Sequence, residues 1–212
     1  MSEDERAARE RLVAAARRLS ALGLNPGRSG NVSERFGAGF LVTPSAMPYE
    51  RMQPDDLVFV DAGGAFHGDQ KPSSEWPLHR GVYRARPEAR AVAHTHSPHA
   101  TTLACLRRAI PPFHYEVAFA GGSDIRCSRY ATFGTQELSD AAVTALDGRR
   151  ACLLANHGVV ALGATLGEAV ELAEKVEALA RMYWQALQAG EPALLDEVEM
   201  SRVLERFKTY GK

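Results

Sequence analysis

Two histidines stand two residues apart in the stretch "AVAHTHSPHA", Ala91 to Ala100, at the end of an apolar run. On a β-strand, residues i and i+2 point to the same face. His94 and His96 would then present two imidazoles side by side, which can chelate one metal ion. Zinc usually takes four ligands and keeps one position open in catalytic sites. A third imidazole is available at His157 in "LLANHGVVAL", again polar within apolar sequence and followed by a glycine that lets the chain turn. The spacing by itself leaves two readings open, a metal site or incidental histidines. His99, beyond Pro98, reads as a helix-terminus residue, and His67 and His114 sit in polar or turn contexts. His79 is four residues after Glu75 and can share a helix face with it, as a group behind the site or as a surface residue.

Three small polar segments can bind an anion. "KPSSEWPLH", Lys71 to His79, places Ser73, Ser74 and Glu75 before a helical stretch. This is a helix N-terminus with capping hydroxyls, with Ser74 as a candidate cap, and such an end also suits phosphate. "GRSGNVS", Gly27 to Ser33, is a Gly-rich turn whose spacing is neither that of a P-loop nor that of a dinucleotide fingerprint. "LVTPSAMPYE" adds Thr43 and Ser45.

The elements that must position these groups mix helices and strands. Leu12, Ala15, Ala16, Leu19 and Leu22 recur at helical spacing, and Gly23 supplies a stop. "NVSERF" and "GFLVT" read as a strand pair with the turn at Gly37 to Gly39, and Leu57 to Asp61 as a further strand. A helix is expected from about Glu75 to Ala85. A buried strand in "AVAHTH" leads to a helix with Pro98 in its first turn. "GTQELSDAAVTAL" is amphipathic. Apolar strands flank "NHG", and the last two helices span about Thr165 to Ala189 and Asp196 to Phe207. The hairpin-like pairs argue against a purely parallel sheet. The expected fold is α/β, with a central, mostly antiparallel sheet flanked by helices in a single domain over residues 1–212.

The chain has 212 residues and a net charge of −1, so there is no global electrostatic case for nucleic acid or an anionic membrane. No apolar run approaches the roughly 20 residues of a membrane span. Its charged N-terminus lacks an apolar signal core, and its three cysteines show no CxxC spacing. Reduced thiols in a cytoplasmic protein are expected.

Taken in order, "GRSGNVSERF", "LVTPSAMPYE", "KPSSEWPLH", "AHTHSPH", "FHYEVAFAGG", "YATFGTQELS", "NHGVVALG" and "FKTYG" resemble the class II aldolase/adducin family over almost the whole chain. The resemblance implies a zinc enzyme with one Zn2+ per subunit, bound by His94, His96 and His157. It places Glu75 as the catalytic acid/base, able to contact zinc when substrate is absent. Tyr115 of a neighbouring subunit would take the proton from the C4 hydroxyl. Ser29, Gly30, Asn31, Ser45, Ser73 and Ser74 would hold phosphate. Where the family pattern has a glycine after the second turn, this chain has Ala46, which alters the backbone approach to phosphate. Phe133 and Tyr210 would shape the aldehyde end of the pocket. Read without the resemblance, Phe133 is core and Tyr210 a tail residue.

The implied reaction is cleavage of a ketose 1-phosphate to dihydroxyacetone phosphate and an aldehyde. L-fuculose, 5-deoxyribulose and 5-methylthioribulose 1-phosphates are the candidate substrates. The implied assembly is a homotetramer with interfacial active sites. On the same fold, a methylthioribulose 1-phosphate dehydratase is the alternative. A 4-epimerase is disfavoured because its pattern has an aspartate where Glu75 stands. A non-catalytic adducin-like role fits poorly with intact His94, His96, His157 and Glu75.

Overall fold

The computed structural model describes residues 2–209. Seven strands form one sheet in the order β4-β3-β2-β1-β5-β7-β6. They are β1 (Asn31–Phe36), β2 (Gly39–Val42), β3 (Val58–Val60), β4 (Phe66–His67), β5 (Ala91–Thr95), β6 (Ala151–Leu154) and β7 (Gly158–Gly163). Every pairing between these strands is antiparallel. The helices are α1 (Glu3–Ala21), α2 (Trp76–Ala85), α3 (Pro98–Cys105), α4 (Gln136–Ala145), α5 (Leu166–Ala189) and α6 (Glu197–Phe207). The α/β fold with an antiparallel sheet and flanking helices is the one expected from the sequence.

Strand alternation divides the apolar residues between two cores. Ala91 and Ala93 of β5 face the larger core, built with α1, α3 and α5 through Leu12, Leu103 and Val176. Val92 faces the smaller one, where Leu78 and Val82 of α2 and Leu138 and Ala142 of α4 cover the other face. His94 is in phase with Val92, so it projects on the α2 side. Asn31 and Ser33 of β1, paired with His94 and Val92, share that face. The polar site is thus the upper end of the α2 core, where apolar packing stops.

Local signals place the helices. Thr135, Thr165 and Asp196 each accept the N3 amide of the helix they precede, worth about 1 kcal/mol apiece. Three details depart from expectation. The third strand is Val58–Val60, shorter than Leu57 to Asp61. His67 lies on the two-residue strand β4, which the turn-rich "AGGAFHGD" concealed. Helix α2 starts at Trp76 with Glu75 at its N-cap, and no side chain caps it, Ser74 included. Ser73 Oγ accepts the amide of Glu75 itself at 3.3 Å. No helix among the described residues is long and apolar enough to cross a membrane.

Candidate active site

His94 is the fourth residue of β5, and His96 follows the strand's end. Their ring centroids are 4.8 Å apart, with the two Nε2 atoms 3.0 Å from each other. His157 arrives on the hairpin between β6 and β7. Its ring lies 4.8 Å from His94 and 4.9 Å from His96. Gly158 makes this approach possible. A Cβ there would stand 2.2 Å from the Thr95 carbonyl oxygen and 3.1 Å from His96 Cδ2. Any larger residue would drive the hairpin off the strand that carries the other two histidines.

Glu75, from the N-cap of α2, closes the cluster. Its Oε2 lies 3.0 Å from His94 Nε2, and its Oε1 lies 3.2 Å from His157 Nε2. One ligand atom from each of Glu75, His94, His96 and His157 falls within 4.8 Å of the others. Asn31 Nδ2 donates to Glu75 Oε2 at 3.0 Å, while no donor is aligned on the buried Oε1. A bound cation would satisfy that atom and the two imidazole nitrogens aimed at each other. The donor set fits a metal ion.

The electrostatics agree with that fit. Burial tends to raise the Glu75 carboxyl, but the charge and hydrogen bond of His94, then His157 and Asn31, outweigh it and hold it below the usual carboxylate range. Burial would lower His94, yet the adjacent carboxylate raises it. Burial, followed by repulsion from neighbouring imidazoles, pushes His96 down to about 3 and His157 down to about 4. These two stand ready as neutral donors, as metal ligands must. His94 Nδ1 lies 2.8 Å from the Val159 carbonyl oxygen. A proton on Nδ1 donated there leaves Nε2 for the site.

Above the imidazoles opens a cleft of about 420 Å3, walled by the three small polar turns. Ser29, Gly30, Asn31, Ser45, Ser73, Ser74, Glu75, His96, His157 and Phe133 all line it. The turns are tied together. Ser45 N–H donates to the Lys71 carbonyl at 2.9 Å and Ser73 N–H to that of Thr43 at 3.0 Å. The Tyr49 hydroxyl lies 3.0 Å from the Ser29 carbonyl and 2.7 Å from that of Gly30. Gly30 has φ +73, and a Cβ on it would meet Asn25 Oδ1 at 2.2 Å. That same Asn25 oxygen accepts the His96 amide at 3.3 Å, so the turn and the metal-side loop brace each other. Ala46 has φ +56, a left-handed conformation where glycine is the natural occupant. Ala46 therefore holds this left-handed backbone at a steric cost of about 1 kcal/mol.

The structure separates the remaining candidates. Phe133 is 66% exposed and faces the cleft, so it is not core. The Asn31 side chain is occupied by Glu75 and His79. Tyr115 lies away from this cleft on a 3-10 turn, with its ring 48% exposed and against Phe207. Tyr210 lies outside the described residues. His79 is buried, not a surface residue. His99 pairs with Glu177 at 2.7 Å, apart from the cluster. Sequence reasoning missed Arg28, Tyr130 and Asn156 among the cleft walls. Among the described residues lining it, Arg28 is the only Lys or Arg, and the signal was its place inside "GRSGNVS".

Comparison with known proteins agrees with this architecture. Residues 10–184 match the family model described as Class II Aldolase and Adducin N-terminal domain. The chain is 54% identical over 205 residues to a 5-methylthioribulose-1-phosphate/5-deoxyribulose-1-phosphate aldolase of Rhodospirillum rubrum, covering 97% of this chain and 93% of that protein. It is 45% identical over 194 residues to the L-fuculose phosphate aldolase of Escherichia coli K12, covering 91% and 90%. A solved L-fuculose 1-phosphate aldolase superposes with a TM-score of 0.93 at 38% identity, covering 98% of each chain. With a match of that extent and a histidine–glutamate cluster at the end of the antiparallel sheet, the chain belongs to the class II aldolase and adducin N-terminal domain family.

Proposed function

We propose that this protein is a zinc-dependent aldolase that cleaves a ketose 1-phosphate to dihydroxyacetone phosphate and an aldehyde. The observation that carries the reading is Glu75, set among His94, His96 and His157, at the floor of a cleft walled by serine and glycine turns. His94, His96 and His157 would hold the ion, and three neutral imidazoles suit zinc while leaving its charge undiminished. When bound, the ion supplies a Lewis acid that polarises the ketone and stabilises the charge left by carbon–carbon cleavage.

The chain's own residues do the rest. Ser29, Gly30, Ser45, Ser73 and Ser74 bind the phosphate through hydroxyls and backbone N–H groups, joined by the Asn31 segment and by the Arg28 guanidinium on the same wall. Phosphate anchoring orients the three-carbon end toward Glu75. Glu75 moves the proton at C3 of that fragment. Tyr115 of a neighbouring subunit takes the C4 hydroxyl proton, which accounts for its distance from the cleft of its own chain. That role requires an assembly, and a homotetramer with interfacial sites is the proposed one. Phe133, with Tyr210, forms the aldehyde end. An apolar wall suits the methyl or thioether end of 5-deoxyribulose or 5-methylthioribulose 1-phosphate, and the methyl group of L-fuculose 1-phosphate. Free Cys105, Cys127 and Cys152 fit a cytoplasmic setting.

The test is a panel of ketose 1-phosphates given to the metal-loaded protein, with dihydroxyacetone phosphate and aldehyde assayed together. Release of both from at least one substrate, lost on chelation and restored by zinc, is expected. A single dehydrated diketone would instead identify a dehydratase. Cleavage that survives chelation, or none with any substrate, would overturn the proposal.

A further inference from the structure

A buried polar chain runs from Glu75 away from the cleft, and none of its inner members is a metal ligand. Glu75, His79 and Tyr83 recur every four residues, one stripe at and along α2. Asn31 and Ser33 alternate on the facing side of β1. Where the stripe crosses the row, hydrogen bonds link all five. Asn31 Nδ2 donates to Glu75 Oε2 at 3.0 Å, and Asn31 Oδ1 lies 2.5 Å from His79 Nε2. His79 Nδ1 lies 2.6 Å from Ser33 Oγ, which lies 2.8 Å from the Tyr83 hydroxyl. Asn31, Ser33, His79 and Tyr83 are all buried, so water does not compete for these contacts.

Chemistry gives the chain one direction. A carboxylate only accepts, so the amide edge facing Glu75 is the amino group and the carbonyl faces His79. His79 Nε2 must then carry a proton. Burial pushes the imidazole down to about 3, so it is neutral, and Nδ1 holds a lone pair. Ser33 must donate to that lone pair, and Ser33 Oγ then accepts from Tyr83. Donation runs Tyr83, Ser33, His79, Asn31, Glu75 without a break.

We infer that His79, held as the Nε2–H tautomer by Ser33 and Tyr83, is a positioning residue that locks the Asn31 amide and thereby aims Glu75 over the three imidazoles. This rests on the reading of Glu75 as the acid/base group. His79 touches neither cleft nor imidazole cluster. Its effect passes through Asn31 to the proton-transfer step and leaves substrate anchoring to the turns.

The test compares His79→Gln with His79→Asn. The glutamine amino group reaches where Nε2 stood and can still donate to Asn31. Asparagine reaches only where Nδ1 stood. His79→Asn is expected to lower kcat by about tenfold or more, as misplacement of a reacting group does, with KM and metal content near those of the parent. His79→Gln should recover most of that kcat. Equal losses in the two variants, or a loss carried by KM, would overturn the inference. Nitrogen-15 NMR of the histidine-labelled, metal-free parent adds a readout independent of turnover. His79 should show the Nε2–H tautomer, and Ser33→Ala should disturb that preference. An Nδ1–H tautomer in the parent would overturn the inference even if the variants fail to fold. A parent inert to every ketose 1-phosphate would sink the aldolase reading, and the tautomer measurement would still decide this one.

Discussion

Replacing Glu75 with glutamine keeps the side chain's shape and removes its ability to take a proton. The carboxylate is 6% exposed, accepts from Asn31 at 3.0 Å, and lies 3.0 Å from His94 Nε2 and 3.2 Å from His157 Nε2. In Glu75→Gln the amide oxygen must face the Asn31 amino group, which turns the new NH2 toward His157. Neutral His157 can accept there, so the side chain finds partners in the metal-free protein and the fold persists. The three imidazoles are untouched, so metal content should stay near one ion per chain. The proton at C3 then has no base. General acid/base catalysis contributes about 10²- to 10⁴-fold. The expected fall in kcat is of that size, or about 2.7–5.5 kcal/mol in the barrier. KM should change little, because the proposed phosphate contacts come from other residues. The assay pairs coupled detection of dihydroxyacetone phosphate with metal analysis. Exchange of the C3 proton of dihydroxyacetone phosphate with deuterated water should be lost in parallel. Turnover near that of the parent, with metal retained, would show that Glu75 is not the acid/base group. Loss of the metal together with turnover would mean its main role is structural.

Two further outcomes follow from the walls and the support of the site. Arg28→Gln should raise KM for a ketose 1-phosphate about tenfold with kcat nearly unchanged, an increment reduced by solvent screening and shrinking with added salt. A KM independent of this substitution would place the phosphate elsewhere. For stability, the depressed pKa of His79, about 3 against 6.5, means the unfolded chain binds the extra proton between those values. Stability is then intact above pH 6.5 and lost as pH falls. Going from pH 7 to 5 should cost about 2 kcal/mol through His79 alone. Urea melts of metal-free parent and His79→Gln at both pH values would test this, and equal pH slopes would refute it. His94, held up by Glu75, works in the opposite direction in both proteins and cancels from the comparison.

The histidines of the candidate metal site were legible because strand geometry is local. His94 and His96 need only the i, i+2 rule, and His157 is marked by the glycine after it. The turns were legible by composition, since serine and glycine clusters signal exposed backbone N–H groups whatever the fold. What failed to show was everything set by long-range packing. His79 offered a surface reading and a supporting one, and only the crossing of α2 over β1 decides between them. Ser33 was only the end of the Gly-rich turn and part of "NVSERF". Asn31 was placed at the phosphate by the resemblance, although the face its side chain takes depends on pairing with β5. Phe133 reads as core by hydrophobicity, yet Tyr130, Ala131 and Phe133 line the cleft, where an apolar ring has no core to enter.

The same distinction explains why the site is where it is. A sheet buried on both faces cannot accept a cluster of imidazoles and a carboxylate in its middle without leaving charge unpaired. At the end of β5 the smaller core runs out, and α2 begins with its N-cap, not its apolar stripe. There the chain supplies polar groups in depth. Tyr83, Ser33 and His79 satisfy one another behind Asn31, while Glu75 and the imidazoles keep their free valences toward the cleft. The buried hydrogen-bond chain is therefore the condition under which a reactive carboxylate can be held rigid beside an apolar core. That condition makes a turnover defect from His79→Asn, with the metal still bound, the most informative failure this fold can show.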